Sequence, residues 1–462
     1  MSSNDIFETV ENTFISIFYF LLFAVYLLFS KSSRITGFQA FAPVLVFTTK
    51  CFAAFGLVYI YSEVYRDRST ADIFKLFDDA EVLYSVFEKN PNDFMNLLLG
   101  MDASSPYFDI YTQKMPNWNK GFSSGLGLIN DSRTIIKLNA LIRFISFGAY
   151  GVHVIIFTFI STLGLIKLYK AFYPLLSTRR SWLFFSVFLI PSVLCWSSGV
   201  LKESLLFYLI GGFTYLIIRE KSFERPIQWM YLLFIILGFI ALKVYIILAF
   251  CPGVLAWYVC KRFKKVPIPV TYLIILPFCA AIVWIISASW PAADVVTHLS
   301  FIQQNMLRMA FYSDAGSVIE MQPLEPELWS YLRNLPEALI NAAFRPGILD
   351  AKNSLQWFAA FENAFIVVCV ILCIGLYRKP INRFHENAVW FSLSFVLVLY
   401  TIMGLSTPIL GTLVRYRMPA LQFLFIAMVL LSDTDRLIRI IQELFNYEPT
   451  DNTHHGSDFR NR

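Results

Sequence analysis

Long apolar runs alternate with short polar stretches along most of the chain. A membrane-spanning helix needs about 20 mostly apolar residues, and the pattern predicts about eleven spans. They are residues 13–30, 38–61, 142–166, 182–197, 201–218, 229–242, 245–260, 268–289, 355–377, 388–404 and 413–431. The runs around Lys202 and Lys243 are short, so each could be a tight hairpin or one bent helix. The pattern predicts an all-α polytopic membrane protein.

Two long polar loops interrupt the spans, at residues 62–141 and 290–354. In the first loop, apolar side chains at helical spacing predict an amphipathic helix of about 72–89. Its start is capping-box-like, at Ser69-Thr70-Ala71-Asp72. It should end at Asn90-Pro91, because the residue before a proline disfavours the helical conformation. A shorter apolar turn then leads to Gly100.

The second loop opens with an apolar stripe from Val295 to Met309, again at helical spacing. The prolines that follow predict a chain broken into short pieces; they are Pro323, Pro326, Pro336 and Pro346. Amphipathic helices beside a span lie along the membrane surface or cover a cavity. Both loops are therefore expected to carry juxtamembrane helices.

The positions of the basic residues predict the orientation. Lys and Arg gather in short loops that the eleven-span count places on one side, which is the cytoplasmic side by the positive-inside rule. Both long loops and the N-terminus are then extracytoplasmic. The organisation predicted is an N-terminal anchor span with its inner loop (1–37), a transmembrane domain (38–431) and a cytoplasmic tail (432–462). The expected location is a bacterial cytoplasmic membrane.

The composition excludes several classes of protein. With 57% hydrophobic, 17% aromatic and 15% charged residues, the chain is no soluble enzyme. The net charge is +6, but the 38 Lys and Arg separate apolar runs and form no basic face, so nucleic acid is not an expected partner. The seven cysteines lie mostly in apolar runs without a C-x-x-C pair, which predicts neither a disulfide framework nor a zinc site.

The polar side of the predicted helix 72–89 carries an acidic cluster that includes Asp72, Asp78 and Asp79. Carboxylates near a membrane surface can accept a proton from a hydroxyl, or hold a divalent cation such as Mg or Mn through oxygen ligands. Asp78 and Asp79 are the candidate metal ligands. The alternative is a solvated helix face. Three later residues of the loop are predicted to be ordinary loop charges: Asp102, Asp109 and Asp131.

Ionisable residues in or beside spans are costly and are expected to have partners. Five cations fall at the predicted outer ends of spans: Lys202, Lys243, Arg345, Arg415 and Arg417. Together with Glu203 and the acidic helix they could bind a phosphate and a hydroxyl-rich substrate. Lys50 and Glu362 lie inside spans. For Lys50 a structural pair with Glu203 or Glu362 is the alternative to a functional role, and for Lys243 it is snorkelling to the interface.

This layout resembles the GT-C membrane glycosyltransferases that use polyprenyl-phosphate sugars, the class of the protein mannosyltransferases and aminoarabinose transferases. A span precedes a long outer loop with an acidic pair, Asp78-Asp79. Counted from that span as the first, seven spans pass before a second long loop. The P-S-x-x-x-W-x-S-x-x-x-K-E stretch from Pro191 to Glu203 and the stretch Arg415-Tyr416-Arg417-x-Pro419 are similar to segments of bacterial members. The chain departs from the pattern by its Asp-Asp pair, where many members have Asp-Glu, and by the additional span 13–30.

The resemblance implies an inverting transfer of a sugar from a polyprenyl-phosphate donor to a hydroxyl of a glycan, lipid or protein. One of Asp78, Asp79 and Asp72 would act on the acceptor hydroxyl, with or without a divalent cation, and the outer cations would stabilise the lipid phosphate. One rival hypothesis is an O-antigen-type polymerase or ligase that relies on loop arginines, here Arg308, Arg333 and Arg345. Another is a transporter or a non-catalytic subunit of a membrane complex.

Overall fold

The computed structural model describes residues 3–64, 68, 71–101, 105–118, 130–219, 223–291, 294–312 and 317–445. Most of these residues are helical, and within the described ranges only two isolated β-bridges occur. The first ten helices are α1 (Ser3–Phe29), α2 (Ala42–Tyr59), α3 (Asp72–Lys89), α4 (Pro91–Leu99), α5 (Asp109–Thr112), α6 (Asp131–Ser146), α7 (Tyr150–Leu176), α8 (Arg180–Phe184), α9 (Pro191–Trp196) and α10 (Lys202–Ile218). The remaining ten are α11 (Pro226–Leu242), α12 (Tyr245–Arg262), α13 (Ile268–Ser289), α14 (Val295–Tyr312), α15 (Leu328–Phe344), α16 (Ser354–Gly375), α17 (Arg383–Ser406), α18 (Leu410–Tyr416), α19 (Met418–Leu431) and α20 (Thr434–Phe445).

Seven helical runs in the described ranges are long and apolar enough to cross a membrane. The pair α18 and α19, bent by 52°, makes an eighth if it forms one span. The runs are Glu11–Phe29, Ala42–Glu63, Tyr150–Leu189, Tyr245–Arg262, Ile268–Ser289, Ser354–Gly375 and Arg383–Ser406. The chain is therefore a multi-pass all-α membrane protein, as its hydropathy predicts. The other predicted spans correspond to α10 and α11, which have 17 residues each, and to a broken segment that ends with α9.

Two predicted spans have different boundaries in the structure. The predicted span 182–197 is not one continuous helix, because the helical run from Tyr150 ends at Leu189 and Pro191 starts the separate helix α9. Proline favours the first position of a helix and disfavours its interior. The predicted span 142–166 also contains a break. Phe147 and Gly148 adopt left-handed conformations, with φ of 52° and 86°, and separate the amphipathic α6 from the apolar α7.

The helices predicted in the two long loops are confirmed. Helix α3 spans Asp72–Lys89, α4 ends at the left-handed Gly100, and α14 spans Val295–Tyr312. The capping-box residues Ser69 and Thr70 lie outside the described residues, as does Asp102.

The prediction that Pro336 ends a short piece was wrong. Helix α15 continues through this proline from Leu328 to Phe344. An interior proline costs about 3 kcal/mol. Close packing against α17 opposes that cost, since a Cβ on Gly404 would lie 2.0 Å from the carbonyl oxygen of Ala338.

Helix α7 is the centre of the bundle, and its contact with α10 depends on two glycines. A Cβ added to Gly211 would lie 1.9 Å from the carbonyl oxygen of Gly164. Small residues of this kind let two membrane helices approach closely. The same core extends to Phe250, where the ring centroid of Phe395 lies 4.0 Å away. The close packing against α7 fixes the position of α10 and of its first residues, Lys202 and Glu203.

The amphipathic pattern from Leu437 to Phe445 predicts a helix at the start of the tail, and α20 covers this stretch. The end of the tail, 446–462 with His454 and His455, lies outside the described residues.

Candidate functional site

Arg415 joins two carboxylates that are far apart in the sequence. Its Nη1 lies 2.5 Å from Asp72 Oδ2, and its Nη2 lies 2.7 Å from Glu203 Oε2. The Arg415 and Glu203 side chains are 11% and 3% exposed, whereas Asp72 is 44% exposed and also contacts Lys75. The guanidinium lies 5.8 Å from the Trp196 ring. In this half of the site, Arg415 and Glu203 are thus buried, whereas Asp72 is accessible to solvent.

Asp131 forms the second half of the site with two lysines. It begins α6, where the Asn130 side chain accepts hydrogen bonds from the backbone N–H groups of Ser132 and Arg133. Asp131 Oδ2 lies 2.8 Å from Lys202 Nζ and 3.3 Å from Lys243 Nζ. One buried carboxylate oxygen therefore holds two ammonium groups beside each other.

The two halves form one charge cluster, made of Asp72, Asp131, Lys202, Glu203, Lys243 and Arg415. They are connected because Lys202 and Glu203 are consecutive, and because Lys243 Nζ lies 4.6 Å from the ring of Tyr416, the neighbour of Arg415. Two oxygens, Asp131 Oδ1 and Glu203 Oε1, are buried and accept no hydrogen bond from the described residues. The cluster has three cations, three carboxylates and unused acceptor atoms.

The neighbouring cations keep the carboxylates ionised. Partial burial alone would raise the pKa of Asp72, but Arg415 and Lys75 hold it well below its usual range. Burial likewise opposes ionisation of Asp131, and Lys243 and Lys202 lower its pKa all the same. Both groups therefore carry a negative charge at neutral pH.

Asp78 and Asp79, the leading candidates from the sequence, form other contacts. Asp78 accepts two hydrogen bonds from Arg68, at 2.9 and 2.6 Å, and Asp79 accepts one at 2.8 Å from the backbone N–H of Asn117. Neither forms an ion pair with a residue of the cluster. Of the three candidates on α3, only Asp72 lies in the cluster.

The divalent cation considered from the sequence stays a prediction. No group of three or more His, Cys, Asp or Glu residues suited to a metal ion occurs in the described part of the chain. Asp72, Asp131 and Glu203 each have a Lys or Arg nitrogen within 3.3 Å. At least one oxygen of each carboxylate is thus paired with a cation, and no step is assigned to a metal.

Two of the five outer cations lie elsewhere. Arg417 is fully buried and donates to the carbonyl oxygen of Ala342 and to Asn363 Oδ1. Arg345 is half-buried at the end of α15, where the carbonyl oxygen of the following Pro346 accepts a hydrogen bond from Asn363. Sequence position predicted both arginines near the site. Neither forms an ion pair with a carboxylate of the cluster, and the buried Arg417 instead connects α15 and α16.

Lys50 and Glu362 do not pair with each other. Lys50 Nζ donates to the carbonyl oxygen of Ser197 at 3.0 Å, and also to its hydroxyl. Glu362 Oε1 accepts from the backbone N–H of Ser192 at 2.8 Å. Because Glu203 pairs with Arg415, the expectation of a Lys50–Glu203 or Lys50–Glu362 pair was wrong.

Asp131 belongs to the cluster, although its sequence position predicted an ordinary loop charge. Asn130 is a typical N-cap residue, and apolar residues follow at helical spacing, among them Ile135, Ile136 and Ile142. That signal indicates a helix whose first residue is Asp131. It does not indicate Lys202 and Lys243 as partners, because these contacts depend on the packing of distant helices.

Comparisons with known protein families, curated proteins and solved structures find no match to this chain.

Proposed function

We propose that the chain is a GT-C-type membrane glycosyltransferase with about eleven spans. It would transfer a sugar, with inversion, from a polyprenyl-phosphate donor to an acceptor hydroxyl. One observation supports this most: three carboxylates and three cations, from five separate segments, converge at the ends of apolar helices. Such a site can bind an anionic phosphate while it presents a carboxylate to a neutral hydroxyl group.

Asp72 is the carboxylate best placed to act on the acceptor, because it belongs to the cluster and is its most exposed member. The acceptor oxygen forms a bond to the anomeric carbon while the bond from that carbon to the phosphate oxygen breaks. The hydroxyl proton passes to Asp72, and the electron pair leaves with the lipid phosphate. The anomeric carbon gains positive character on the way. An ionised carboxylate beside it therefore contributes electrostatic stabilisation as well.

The cations stabilise the leaving group. Lys202, Lys243 and Arg415 are preorganised by their carboxylate partners, and preorganised charges stabilise a developing anion without reorganisation. Asp131 keeps both ammonium groups adjacent until phosphate oxygens reach them. Its role is positioning, whereas the lysines would contact the substrate.

The cluster is assigned to the extracytoplasmic face from the direction of α12. This helix starts at Tyr245, two residues after Lys243, and ends at the basic stretch Lys261–Lys265. Basic loops remain in the cytoplasm, so the opposite end of α12 lies outside. Eleven crossings require α10, α11 and the broken segment that ends with α9 to span the bilayer too.

Purified protein in vesicles, supplied with a panel of polyprenyl-phosphate sugars and acceptor glycans, tests this function. Release of polyprenyl phosphate is the readout. We expect turnover of at least one donor and at least a 30-fold loss in Lys243→Gln. The matched control is Lys170→Gln, a half-buried lysine that hydrogen-bonds to the carbonyl oxygen of Ser32; it should retain activity. No turnover with any donor, or equal loss in both variants, would contradict the proposal.

The polymerase alternative requires a different result. A polymerase that uses loop arginines should lose activity on replacement of Arg345, which lies apart from the cluster, and should tolerate Lys243→Gln. That pair of results would favour the alternative over a GT-C mechanism.

A further inference from the structure

Helix α9 is a partly buried six-residue helix with a charged side chain at each end. Glu362, from α16, accepts a hydrogen bond from the N–H of Ser192 in its first turn. Lys50, from α2, donates to the carbonyl oxygen of Ser197, the residue that follows its last turn. Lys50 is fully buried and Glu362 is 6% exposed. Two helices that flank α9 thus supply opposite charges to its opposite ends.

The signs of these charges match the helix. The N-terminus of a helix carries partial positive charge and the C-terminus partial negative charge, so an anion at the first and a cation at the second are both stabilising. A buried charge is costly without a partner. No acidic side chain forms an ion pair with Lys50, and no basic side chain with Glu362, within the described residues. The ends of α9 take the place of these partners.

Helix α9 leads directly to the charge cluster. Trp196, its last residue, lies 5.8 Å from the Arg415 guanidinium, and Lys202 and Glu203 follow six and seven residues later. The connecting residues are fixed as well. Gly199 has a φ of 83°, its N–H donates to Thr158 Oγ1, and its carbonyl oxygen accepts from Ser204 Oγ. A movement of α9 would therefore displace Trp196 and the start of α10.

We propose that Lys50 and Glu362 are positioning residues that fix the two ends of α9 and so hold Trp196, Lys202 and Glu203 in the geometry of the site. The effect on catalysis rests on the proposed glycosyl transfer, whereas the fixing of α9 does not. The stretch from Pro191 to Glu203 then acts as one unit that two buried charges anchor.

Cys195 is a natural reporter for this proposal, because it is half-buried on α9. Its alkylation by N-ethylmaleimide in the full-length protein is measured by peptide mass spectrometry in the wild type, Lys50→Met and Glu362→Gln. We expect at least fivefold faster labelling of Cys195 in both variants, with the buried Cys260 unchanged. The control is Lys167→Met, a span lysine that contacts Tyr208 and Tyr231, and it should label at the wild-type rate.

Turnover of polyprenyl-phosphate sugar is measured on the same samples. We expect a lower kcat in Lys50→Met and Glu362→Gln, although their melting temperatures should equal that of the control Lys167→Met. Wild-type labelling rates in both folded variants would overturn the proposal, and Glu362→Gln alone decides if Lys50→Met does not fold. Faster labelling together with an inactive wild-type protein would support the fixing of α9 and contradict the proposed function. Failure of the α9 proposal and failure of the proposed glycosyl transfer therefore give different results.

A second feature lies at the other membrane face, where a cavity of about 580 Å³ adjoins the start of α20. Its lining includes three exposed arginines, Arg378, Arg436 and Arg439, whose side chains form no ion pair or hydrogen bond with the described residues. The nearby Asp433 caps α20, because its Oδ1 accepts from the N–H of Arg436 at 3.1 Å. Asp433 and Asp435 also line the cavity, so its three guanidinium groups outnumber its two carboxylates and leave a net positive charge for an anion.

The backbone fixes this cavity at the ends of two apolar helices. The N–H of Arg378 donates to the carbonyl oxygen of Leu431 at 2.6 Å, and the N–H of Asp433 donates to that of Leu376 at 2.8 Å. The last turns of α16 and α19 are therefore tied together. Ile438 and Ile440 on α20 remain exposed, as expected for an interfacial amphipathic helix. We infer that the cavity binds the phosphate of an anionic phospholipid in the cytoplasmic leaflet.

Thermal melting of the detergent-purified full-length protein tests this site, with dioleoyl phosphatidylglycerol, dioleoyl phosphatidylcholine or inorganic phosphate added. We expect phosphatidylglycerol alone to raise the melting temperature, and Arg378→Gln/Arg436→Gln/Arg439→Gln to lose that shift. The control Arg262→Gln/Lys264→Gln/Lys265→Gln removes three charges from another basic loop and should retain it. An equal shift in wild type and variant, or an equal shift with phosphatidylcholine, would overturn the site. A shift with inorganic phosphate as large as with the lipid would overturn the lipid as its occupant.

Discussion

Arg415 and Asp72 are 343 positions apart in the chain, yet their side chains form an ion pair with 2.5 Å between Nη1 and Oδ2. This contact joins helix α3 to helix α18. It also places the candidate base beside a cation that would bind phosphate.

Replacing Arg415 by Gln should destabilise the protein and abolish transfer. Glu203 is 3% exposed and would lose its partner, and an uncompensated buried charge costs about 3–5 kcal/mol. The double variant Arg415→Gln/Glu203→Gln removes both charges, so its melting temperature should recover most of the loss while transfer stays absent. A single variant as stable as wild type would show that the pair contributes little.

The pH dependence of transfer should reflect the lowered pKa of Asp72. Because Arg415 and Lys75 favour the ionised form, the acid limb of the activity should lie below the ordinary aspartate value of about 3.9. Lys75→Met removes one of these cations and should move the acid limb to higher pH. The stability from the ion pairs is present above the unfolded-state pKa and is lost as pH falls toward the lower folded-state value. An acid limb unchanged by Lys75→Met would refute this role of the charge.

Replacing Asp131 by Asn should convert the two lysines into an anion site. Lys202 and Lys243 both contact Asp131 Oδ2, and without this charge they repel each other. We expect a lower melting temperature that inorganic phosphate raises more than it raises that of wild type. Chloride at matched ionic strength is the control. Equal phosphate shifts in the two proteins would argue against a phosphate site at these lysines.

The contact between α7 and α10 should tolerate no side chain at Gly211. A Cβ there would lie 1.9 Å from the carbonyl oxygen of Gly164, whereas a Cβ on Gly375 would have no atom within 4 Å. Gly211→Ala should therefore lower the melting temperature by several degrees, and Gly375→Ala should leave it unchanged or higher, because alanine favours helix. Similar melting temperatures would mean that the helices can separate without cost.

Much of the architecture was predictable from the chain, because hydropathy and helical spacing are local signals. They predict α3, α14 and α20 closely. The break at Phe147 was missed because an apolar residue occupies the break. Hydropathy cannot distinguish such a residue from the interior of a helix.

The site was predictable only in part. Of the five cations that the sequence grouped at the ends of apolar helices, Lys202, Lys243 and Arg415 lie in one cluster. Asp78 and Asp79 do not contact these cations, because they face Arg68 and the backbone of Asn117. Which carboxylate meets the cations depends on how α3 and α6 pack against distant spans. No local pattern encodes that packing.

Transfer by Asp72→Asn compared with Asp78→Asn is the most direct test of the central claim. Both aspartates lie on α3 and both pair with an arginine, but only Asp72 lies in the charge cluster. The rate of polyprenyl-phosphate release should fall at least 100-fold in Asp72→Asn and stay within threefold of wild type in Asp78→Asn. Full activity in Asp72→Asn, or the reverse order of the two variants, would contradict the assignment of the cluster as the reaction centre.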